Sequence, residues 1–257
     1  MSRVVVLNAK GGCGKTTLAT SLAACAAGRG RAVRLLDLDP LGAAVAWSQR
    51  RPSSLPPIRA VAADRVPLGV TRSFLLGAGG TEEVVIFDTP AGLGRPTIDL
   101  LVRDAAAVLI PVLPSAIDIG IAPRVVADVL LAGCPKEAVA VLANRVRART
   151  RAYATLARFL DSLTIPFVAV LRDSQSYTAA AAEGCGIHEI DTAAAREERE
   201  RWIPLLAWLA ARGVDLREPA PSPAEPAPEA EAAATPASDA PYSEGGRAPP
   251  WRNPREP

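Results

Sequence analysis

The feature that most constrains the fold of this chain is a glycine-rich loop near its start. In the stretch VVVLNAKGGCGKTTLA, Gly11, Gly12 and Gly14 lie between an apolar run and a helical pattern. A strand, a loop and a helix in this order turn successive backbone N–H groups towards one cavity, to which the helix N-terminus adds its positive end. The order predicts a phosphate-binding P-loop.

The residue types of the loop suit a nucleoside triphosphate, and the predicted cofactors are ATP and Mg²⁺. Lys15 is expected to reach the β- and γ-phosphates, and the hydroxyl of Thr16 is expected to ligate Mg²⁺. Ala9 stands where the usual P-loop pattern has its first glycine. The predicted ATP contacts are Gly11, Gly12, Cys13, Gly14, Lys15, Thr16 and Thr17.

A second lysine, Lys10, opens the same loop. The segment KGGCGKTT resembles the deviant Walker A box of the ParA/MinD family of ATPases, whose extra lysine stands at this place. The resemblance implies that Lys10 crosses a dimer interface and contacts the phosphates of the partner's ATP, so Lys10 and Lys15 are both expected to be catalytic. A cation supplied by another subunit couples the nucleotide state to dimerisation. The chain has only three lysines, at positions 10, 15 and 136. The presence of two of them in one loop argues that Lys10 and Lys15 are not ordinary solvent-exposed surface residues.

Short apolar runs rich in β-branched residues alternate with helical patterns along the chain. The alternation predicts an α/β fold with a parallel twisted sheet flanked by helices on both faces, and ligands in such sheets bind at the carboxyl ends of the strands. The resemblance implies the same fold, a P-loop NTPase of the deviant Walker A class. The predicted strands are Val4–Leu7, Ala32–Leu36, Val84–Phe87, Ala107–Val112, Val139–Leu142 and Phe167–Leu171.

Three aspartates follow predicted strands at that sheet edge, where such residues are often only helix caps or turn formers. Asp88 resembles the Walker B aspartate, which is expected to hold Mg²⁺ through water. Asp39 matches the family's second acidic motif and is implied to orient the attacking water, although Leu41 stands where the family has glutamine. Asp37 is expected to support the metal site or the switch geometry. Residues 89–92, TPAG, resemble a switch segment.

Asn144 ends the predicted strand in VLANRV. An amide offers a donor and an acceptor that suit the edge of adenine, and the family places its base-reading asparagine at this position. A helix or turn cap is the alternative role for Asn144.

Four alternating arginines follow in the same stretch: Arg145, Arg147, Arg149 and Arg151. Arginines in this number could track DNA phosphates without sequence preference, or they could form a solvated face.

The composition divides the chain at about residue 217. Residues 1–217 are predicted to form one ATPase domain, and residues 218–257, which hold eleven of the 24 prolines, are predicted to be a disordered Pro/Ala/Glu-rich tail. The first part carries a net charge of +6 against +2 for the whole chain. This mildly basic balance is compatible with a polyanionic partner.

No apolar stretch approaches the ~18 residues of a membrane span, so the protein is expected to be cytoplasmic. The four cysteines, Cys13, Cys25, Cys134 and Cys185, are widely separated and are predicted to be small buried thiols. A metal or iron–sulfur site that bridges two subunits through Cys134 or Cys185 is the alternative. His188 is predicted to serve local structure.

The resemblance implies a ParA-like positioning or partition ATPase that is Mg²⁺-dependent and slow in intrinsic turnover. Such a protein forms a homodimer with ATP, binds nonspecific nucleoid DNA, does not bind membranes, and is released when a ParB-like or McdB-like adaptor stimulates hydrolysis. The cargo is a protein assembly such as the carboxysome, or a plasmid or chromosome. The segment LRDSQSYTAAAAEGCGIHE is similar to the McdA-type cargo-positioning subgroup.

Three other functions remain open at the level of sequence. A MinD-like membrane-surface ATPase needs an amphipathic C-terminal helix, for which the ending PYSEGGRAPPWRNPREP is too rich in proline. A metal-cluster carrier ATPase would need closer cysteines. A regulator that binds ATP and hardly hydrolyses it would keep its cellular behaviour without Asp39.

Overall fold

The computed structural model describes residues 1–64 and 83–216. In these ranges seven parallel strands form one sheet in the order β3-β2-β4-β1-β5-β6-β7. The predicted parallel sheet is thereby confirmed, and the predicted tail lies outside the described residues. The strands are β1 Ser2–Val6, β2 Val33–Asp37, β3 Arg59–Ala62, β4 Val84–Asp88, β5 Ala107–Val112, β6 Val139–Val146 and β7 Phe167–Arg172.

Eight α-helices connect the strands or follow the last one within the described ranges. Four of them begin at a hydroxyl side chain that accepts a hydrogen bond from a backbone N–H in the first turn; these residues are Ser115, Thr150, Ser174 and Thr192. The helices are α1 Lys15–Gly28, α2 Ala43–Gln49, α3 Arg95–Val102, α4 Ala116–Leu131, α5 Arg151–Ser162, α6 Gln175–Ala182, α7 Ala193–Glu200 and α8 Ile203–Ala210. Short 3₁₀ turns occupy Lys136–Ala138 and Ile187–Glu189.

The sheet divides the core into two layers. Successive side chains of β1 point to opposite faces, so Val4 and Val6 enter one cluster while Val5 and Leu7 enter the other. Buried side chains of α1, α2, α7 and α8 belong to the first cluster, and those of α3, α4 and α5 belong to the second. Burial on both faces explains why the strands are apolar throughout.

The predicted strands all exist, with ends that differ by a few residues. The strand β3, Arg59–Ala62, was missed because it has only four residues, leaves Arg59 and Ala62 exposed, and has Val61 as its single β-branched residue. The fifth predicted strand, Val139–Leu142, continues to Val146.

The minor predictions about buried polar residues are also confirmed. All four cysteines are buried and free. The ring of His188 packs edge-on against Trp202, with the ring centres 5.0 Å apart. Burial, together with the nearby Arg29 and Arg199, lowers the pKa of His188 to about 3, so the imidazole is neutral and structural at physiological pH.

Gly186 lets the turn at Ile187–Glu189 pack directly on α1. A methyl group at Gly186 would overlap the Cβ of Ala24 and would lie 3.3 Å from the Cα of Ser21. We expect Gly186→Ala to lower the free energy of unfolding by about 1–3 kcal/mol, because overpacking a rigid contact forces backbone shifts. Urea denaturation measures the effect.

The matched control is Gly120→Ala in α4, where an added methyl meets no atom within 4 Å. This variant should be neutral or more stable by up to about 1 kcal/mol, because alanine favours a helix more than glycine does. Equal losses in the two variants would show that the contact with α1 is not tight.

Candidate nucleotide-binding site

The glycine-rich loop joins β1 to α1 and lines a cavity of about 630 Å³, a size typical of ligand pockets. Gly12 and Gly14 have φ values of 76° and 92°, which side chains other than glycine rarely adopt. A methyl group at Gly14 would also overlap the Nδ2 atom of Asn144. Gly14 precedes α1 without a side-chain cap, so the first N–H groups of the helix are suited to an anion.

Lys15 is buried at the centre of the loop. Its Nζ atom donates to the carbonyl of Lys10 at 3.0 Å, and the thiol of Cys13 donates to the same carbonyl at 3.3 Å. Burial raises the pKa of Cys13, so this thiol stays protonated and acts as a structural donor. A phosphate in the cavity would compete with the Lys10 carbonyl for the ammonium of Lys15.

Lys10 is held by its own chain at three places. Its backbone N–H donates to Oδ1 of Asn8 at 3.1 Å, and Asn8 in turn donates to the carbonyl of Pro111 at 2.7 Å. Its carbonyl takes the hydrogen bonds of Lys15 and Cys13. Its ammonium forms an ion pair with Oδ2 of Asp118, in the first turn of α4.

Asp88 ends β4 as a buried carboxylate that lacks a partner. Its side chain is fully buried, and neither oxygen has a hydrogen-bond partner among the described residues. Burial is the main cause that raises the pKa of Asp88 to about 7; the hydroxyl of Thr16 and the charge of Lys15 lower this pKa, and the charge of Asp37 raises it. The residues Val6, Asp88 and Asp37 lie level on the adjacent strands β1, β4 and β2, which brings Asp88 to the edge where the loop begins.

Asp37 and Asp39 have different surroundings. Oδ1 of Asp37 accepts from the N–H of Asp39 at 3.1 Å, and Oδ2 accepts from the N–H groups of Ala44 and Val45 at 2.8 and 3.0 Å. Asp37 therefore caps α2 and fixes the turn that carries Asp39. Asp39 is half-buried and lines the cavity, while its Oδ1 accepts from the N–H of Leu41 at 3.0 Å.

In the predicted switch segment, residues 89–92, the first residue is fixed by a hydrogen bond and the last two are exposed. The hydroxyl of Thr89 is buried and donates to the carbonyl of Val6 at 2.9 Å. Ala91 and Gly92 are exposed, Ala91 lines the cavity, and Gly92 has a φ of 69°. The segment lies beside the loop, and its switching role stays a prediction.

Asn144 contacts the loop directly. Its Nδ2 donates to the carbonyl of Cys13 at 2.7 Å, and its side chain is buried. This bond links the end of β6 to the loop. It is a structural contact that differs from both predicted roles, base reading and capping. Asn144 also lines the cavity, so base recognition stays a prediction for it.

The alternating arginines divide into two pairs. Nε of Arg145 donates to Asp173 at 3.2 Å, and Arg147 donates to its other oxygen at 2.9 and 3.1 Å; Arg147 and Arg145 lower the pKa of this carboxyl. Arg149 and Arg151 are exposed and pair with no described residue. Arg145 and Arg149 have φ values of 51° and 62°, a conformation that is costly for residues other than glycine and is often found at functional sites.

The cavity continues to residues that the motifs did not predict. Asp173, Tyr177 and Trp202 line its far end, and Nε1 of Trp202 donates to the hydroxyl of Tyr177 at 2.9 Å. Asp118 was missed as well. The spacing of Ser115 and Asp118 is typical of a helix start and could have located α4, but no local pattern links Asp118 to Lys10.

The residues around Asp88 fit a magnesium–nucleotide complex. Mg²⁺ binds proteins through one or two oxygen ligands and keeps water and phosphate oxygens. The hydroxyl of Thr16 lines the cavity, and it lies near enough to the buried carboxylate of Asp88 to lower the pKa of that group. Within residues 1–64 and 83–216, no group of three or more His, Cys, Asp or Glu side chains could hold a metal ion. No helix in the same ranges is long and apolar enough to cross a membrane.

Comparisons of the sequence place it among nucleotide-binding proteins. Residues 4–187 match the family model described as the CobQ/CobB/MinD/ParA nucleotide binding domain. The chain is 33% identical over 186 residues to maintenance of carboxysome distribution protein A of Gloeobacter kilaueensis, covering 72% of this chain and 82% of the relative. It is 28% identical over 194 residues to the protein of the same name from Halothiobacillus neapolitanus, covering 73% and 87%.

Solved structures share the fold at low sequence identity. An ATP complex of McdA from Cyanothece superimposes with a TM-score of 0.63 at 15% identity, covering 84% of this chain and 97% of that one. The MinD cell division protein of Aquifex aeolicus superimposes with a TM-score of 0.62 at 18% identity, covering 80% and 97%. The parallel sheet with its P-loop is thus the fold of ParA/MinD-type NTPases.

The unpartnered carboxylate predicts a stabilising substitution. Below its unfolded pKa of 3.8 Asp88 is protonated in both states, and its contribution to stability is lost as pH rises through the folded value of about 7. We therefore expect Asp88→Asn, without nucleotide or Mg²⁺, to be more stable than the wild type at pH 8 by about 2–4 kcal/mol, and the gap to close towards pH 4. Urea denaturation across this pH range measures it.

The matched control is Asp39→Asn, whose carboxylate is only half-buried and is hydrogen-bonded. It should change the free energy of unfolding by much less than Asp88→Asn does at pH 8. A wild type that matches Asp88→Asn at every pH would mean that the nearby charge of Lys15 and the hydroxyl of Thr16 fully offset the burial of the Asp88 carboxylate.

Proposed function

Because the chain belongs to the CobQ/CobB/MinD/ParA nucleotide-binding family, we propose that it is an ATP-hydrolysing positioning protein. In this proposal it binds Mg²⁺–ATP, dimerises, attaches to nonspecific DNA of the nucleoid, and detaches after hydrolysis stimulated by an adaptor. The observation that carries the proposal is a P-loop cavity lined by Lys15 and Thr16, in a chain whose loop also holds Lys10 and whose neighbouring strand ends in the buried carboxylate of Asp88.

ATP binding is proposed to centre on the loop. The N–H groups at the start of α1 and the ammonium of Lys15 would hold the phosphates, since an uncapped helix N-terminus and a buried ammonium both favour an anion. Thr16 and Asp88 would hold Mg²⁺, whose positive charge offsets the charge that develops on the phosphates. Asp37 would act indirectly, because its oxygens cap α2 and fix the turn before Asp39.

Asp39 is proposed to orient the attacking water. It stands on a turn that Asp37 fixes, and its side chain lines the same cavity as Lys15 and Thr16. A carboxylate held in this way can accept a proton or a hydrogen bond from water at a defined place. The switch role of residues 89–92 is proposed on the same basis, since Thr89 bonds to the last residue of β1 and Ala91 lines the cavity.

Dimerisation with ATP is proposed to occur on the face that carries the loop. Two large apolar side chains are exposed beside it, Leu41 at 88% and Ile117 at 65%. Leu41 follows Asp39, and Ile117 precedes Asp118, the ion-pair partner of Lys10. Their place beside these two aspartates, and not the area of an apolar patch, is what supports this face as the dimer surface. Lys10 would then contact the phosphates bound by the second subunit.

DNA contact is proposed for the arginines after β6, in two unequal parts. Arg149 and Arg151 are exposed, and no described residue neutralises them, so they are free to approach phosphates. Arg145 and Arg147 share the carboxylate of Asp173, which reduces their net contribution. Binding of this kind depends on salt and not on sequence.

The cargo is proposed from the named relatives. Two proteins named for carboxysome distribution are 33% and 28% identical to this chain over most of its length. A protein assembly such as the carboxysome, recognised through an McdB-like adaptor, is therefore the proposed cargo. A plasmid or chromosome with a ParB-like adaptor is the alternative within the same mechanism.

Asp39→Ala should separate hydrolysis from binding. We expect turnover of ATP to fall by about 10²-fold or more, because the water loses its orienting group, while ATP binding is kept. Phosphate release and nucleotide binding measured in parallel test this. Asp161→Ala, an exposed aspartate of α5, should leave both unchanged. Full turnover without Asp39 would contradict the role.

Replacing Arg149 and Arg151 together by alanine should weaken ATP-dependent binding to a nonspecific duplex. The slope of log affinity against log salt should fall by about 2, because each arginine that no longer meets a phosphate lowers it by roughly one. The matched control is Arg103→Ala. Arg103 is exposed and follows α3, at the amino edge of the sheet and so at the opposite edge from the loop. Fluorescence anisotropy at several salt concentrations measures both. An unchanged slope would remove these arginines from the DNA surface, and binding to anionic lipid vesicles instead would favour the membrane alternative.

A further inference from the structure

The ammonium of Lys10 has a partner within its own chain. It pairs with Oδ2 of Asp118, whose side chain is 0% exposed, while that of Lys10 is 30% exposed. The two residues are far apart in sequence, and the pair joins the start of the P-loop to the first turn of α4. This partner was not part of the ParA/MinD resemblance described above.

Asp118 depends on this lysine for its charge balance. Its Oδ2 also contacts the hydroxyl of Ser115, which accepts from the N–H of Asp118 at 3.2 Å. Its Oδ1 is buried without a hydrogen-bond partner among the described residues. A buried carboxylate that loses its counter-charge is strongly disfavoured, so Asp118 holds Lys10 firmly.

The main chain of Lys10 is fixed while its side chain can move. Asn8 anchors the backbone N–H of Lys10 to the end of β5 through the carbonyl of Pro111. The flexible four-carbon stem of a lysine can still swing, and the partly exposed ammonium lies at the surface. A second copy that docked on this face would therefore meet a Lys10 ammonium that is already paired with Asp118.

We propose that Asp118 is a positioning residue for Lys10, which keeps the ammonium in its own chain and sets how readily it transfers to phosphates bound by a second copy. The proposal rests on the proposed ATP-dependent dimer. In it, dimerisation must open the pair, and Asp118 opposes the dimer until a bound triphosphate offers a stronger negative charge. Asp118 does not touch the nucleotide in this account.

The test is a double-mutant cycle on the ATP-dependent dimer, made in the full chain with Asp39→Ala to slow turnover. The dissociation constant of the dimer is measured by sedimentation with ATP for the parent, Asp118→Asn, Lys10→Ala and the pair. We expect Asp118→Asn to tighten the dimer about tenfold, a typical coupling between two sites, and to do nothing when Lys10 is alanine. ATP binding by the monomer should not change.

Two further variants separate positioning from structural damage. Asp128→Asn makes the same substitution in the same helix at a partly exposed aspartate that pairs with Arg95 at 3.7 Å, away from Lys10, and should leave the dimer unchanged. Ser115→Ala removes the other donor to Asp118 and should weaken the dimer only while Lys10 is present. This variant tests the positioning role even if Asp118→Asn does not fold.

Two results would overturn the positioning role: a dimer that Asp118→Asn leaves unchanged or weakens, and a gain that persists in Lys10→Ala. A parent chain that stays monomeric with ATP while it still binds the nucleotide would overturn the proposed dimer itself. These outcomes are distinct, because the parent is measured before any change at Asp118.

Discussion

The register between three parallel strands is the constraint on which the rest of the site depends. Val6 of β1, Asp88 of β4 and Asp37 of β2 lie level at the carboxyl edge of the sheet. The same register delivers the P-loop from β1 beside a buried carboxylate from β4 and a helix-capping carboxylate from β2. Because the strands are buried on both faces, a shift of one residue in this register would move apolar side chains into the opposite layer of the core, where they do not fit, and would move both aspartates away from the loop.

Unbalanced charge is the second organising principle of the site. Asp88 is buried without a partner, and burial holds its pKa near 7. Lys15 donates to a carbonyl of its own loop, and Lys10 pairs with Asp118. The carboxylate of Asp88 is therefore ready for a cation, and both ammonium groups can exchange an internal partner for phosphate. A bound triphosphate and its metal would be stabilised by these new contacts with Asp88, Lys15 and Lys10.

The sequence was most informative where the chemistry is local. The loop, Lys15, Thr16 and the strand ends at Asp37 and Asp88 follow from motifs and short apolar runs, and the structure brings them to one edge. Asn144 was expected at the strand end, but its bond to Cys13 joins residues 131 positions apart. Lys10 and Asp118 are 108 apart, and Asp173 meets Arg145 from a different strand end. Such pairings arise from topology, which short motifs do not encode. The strand β3 was missed because an edge strand of four residues with one β-branched side chain gives only a weak sequence signal.

Isothermal titration calorimetry of ATP into the wild type, with Mg²⁺ and with a chelator, tests the central claim most directly, with Lys15→Ala as the control. The account predicts one ATP bound per chain, binding that weakens when Mg²⁺ is removed, and no binding when Lys15 is alanine. Binding that is indifferent to both Mg²⁺ and Lys15, or no binding at all, would contradict the assignment of this cavity as a magnesium–nucleotide site.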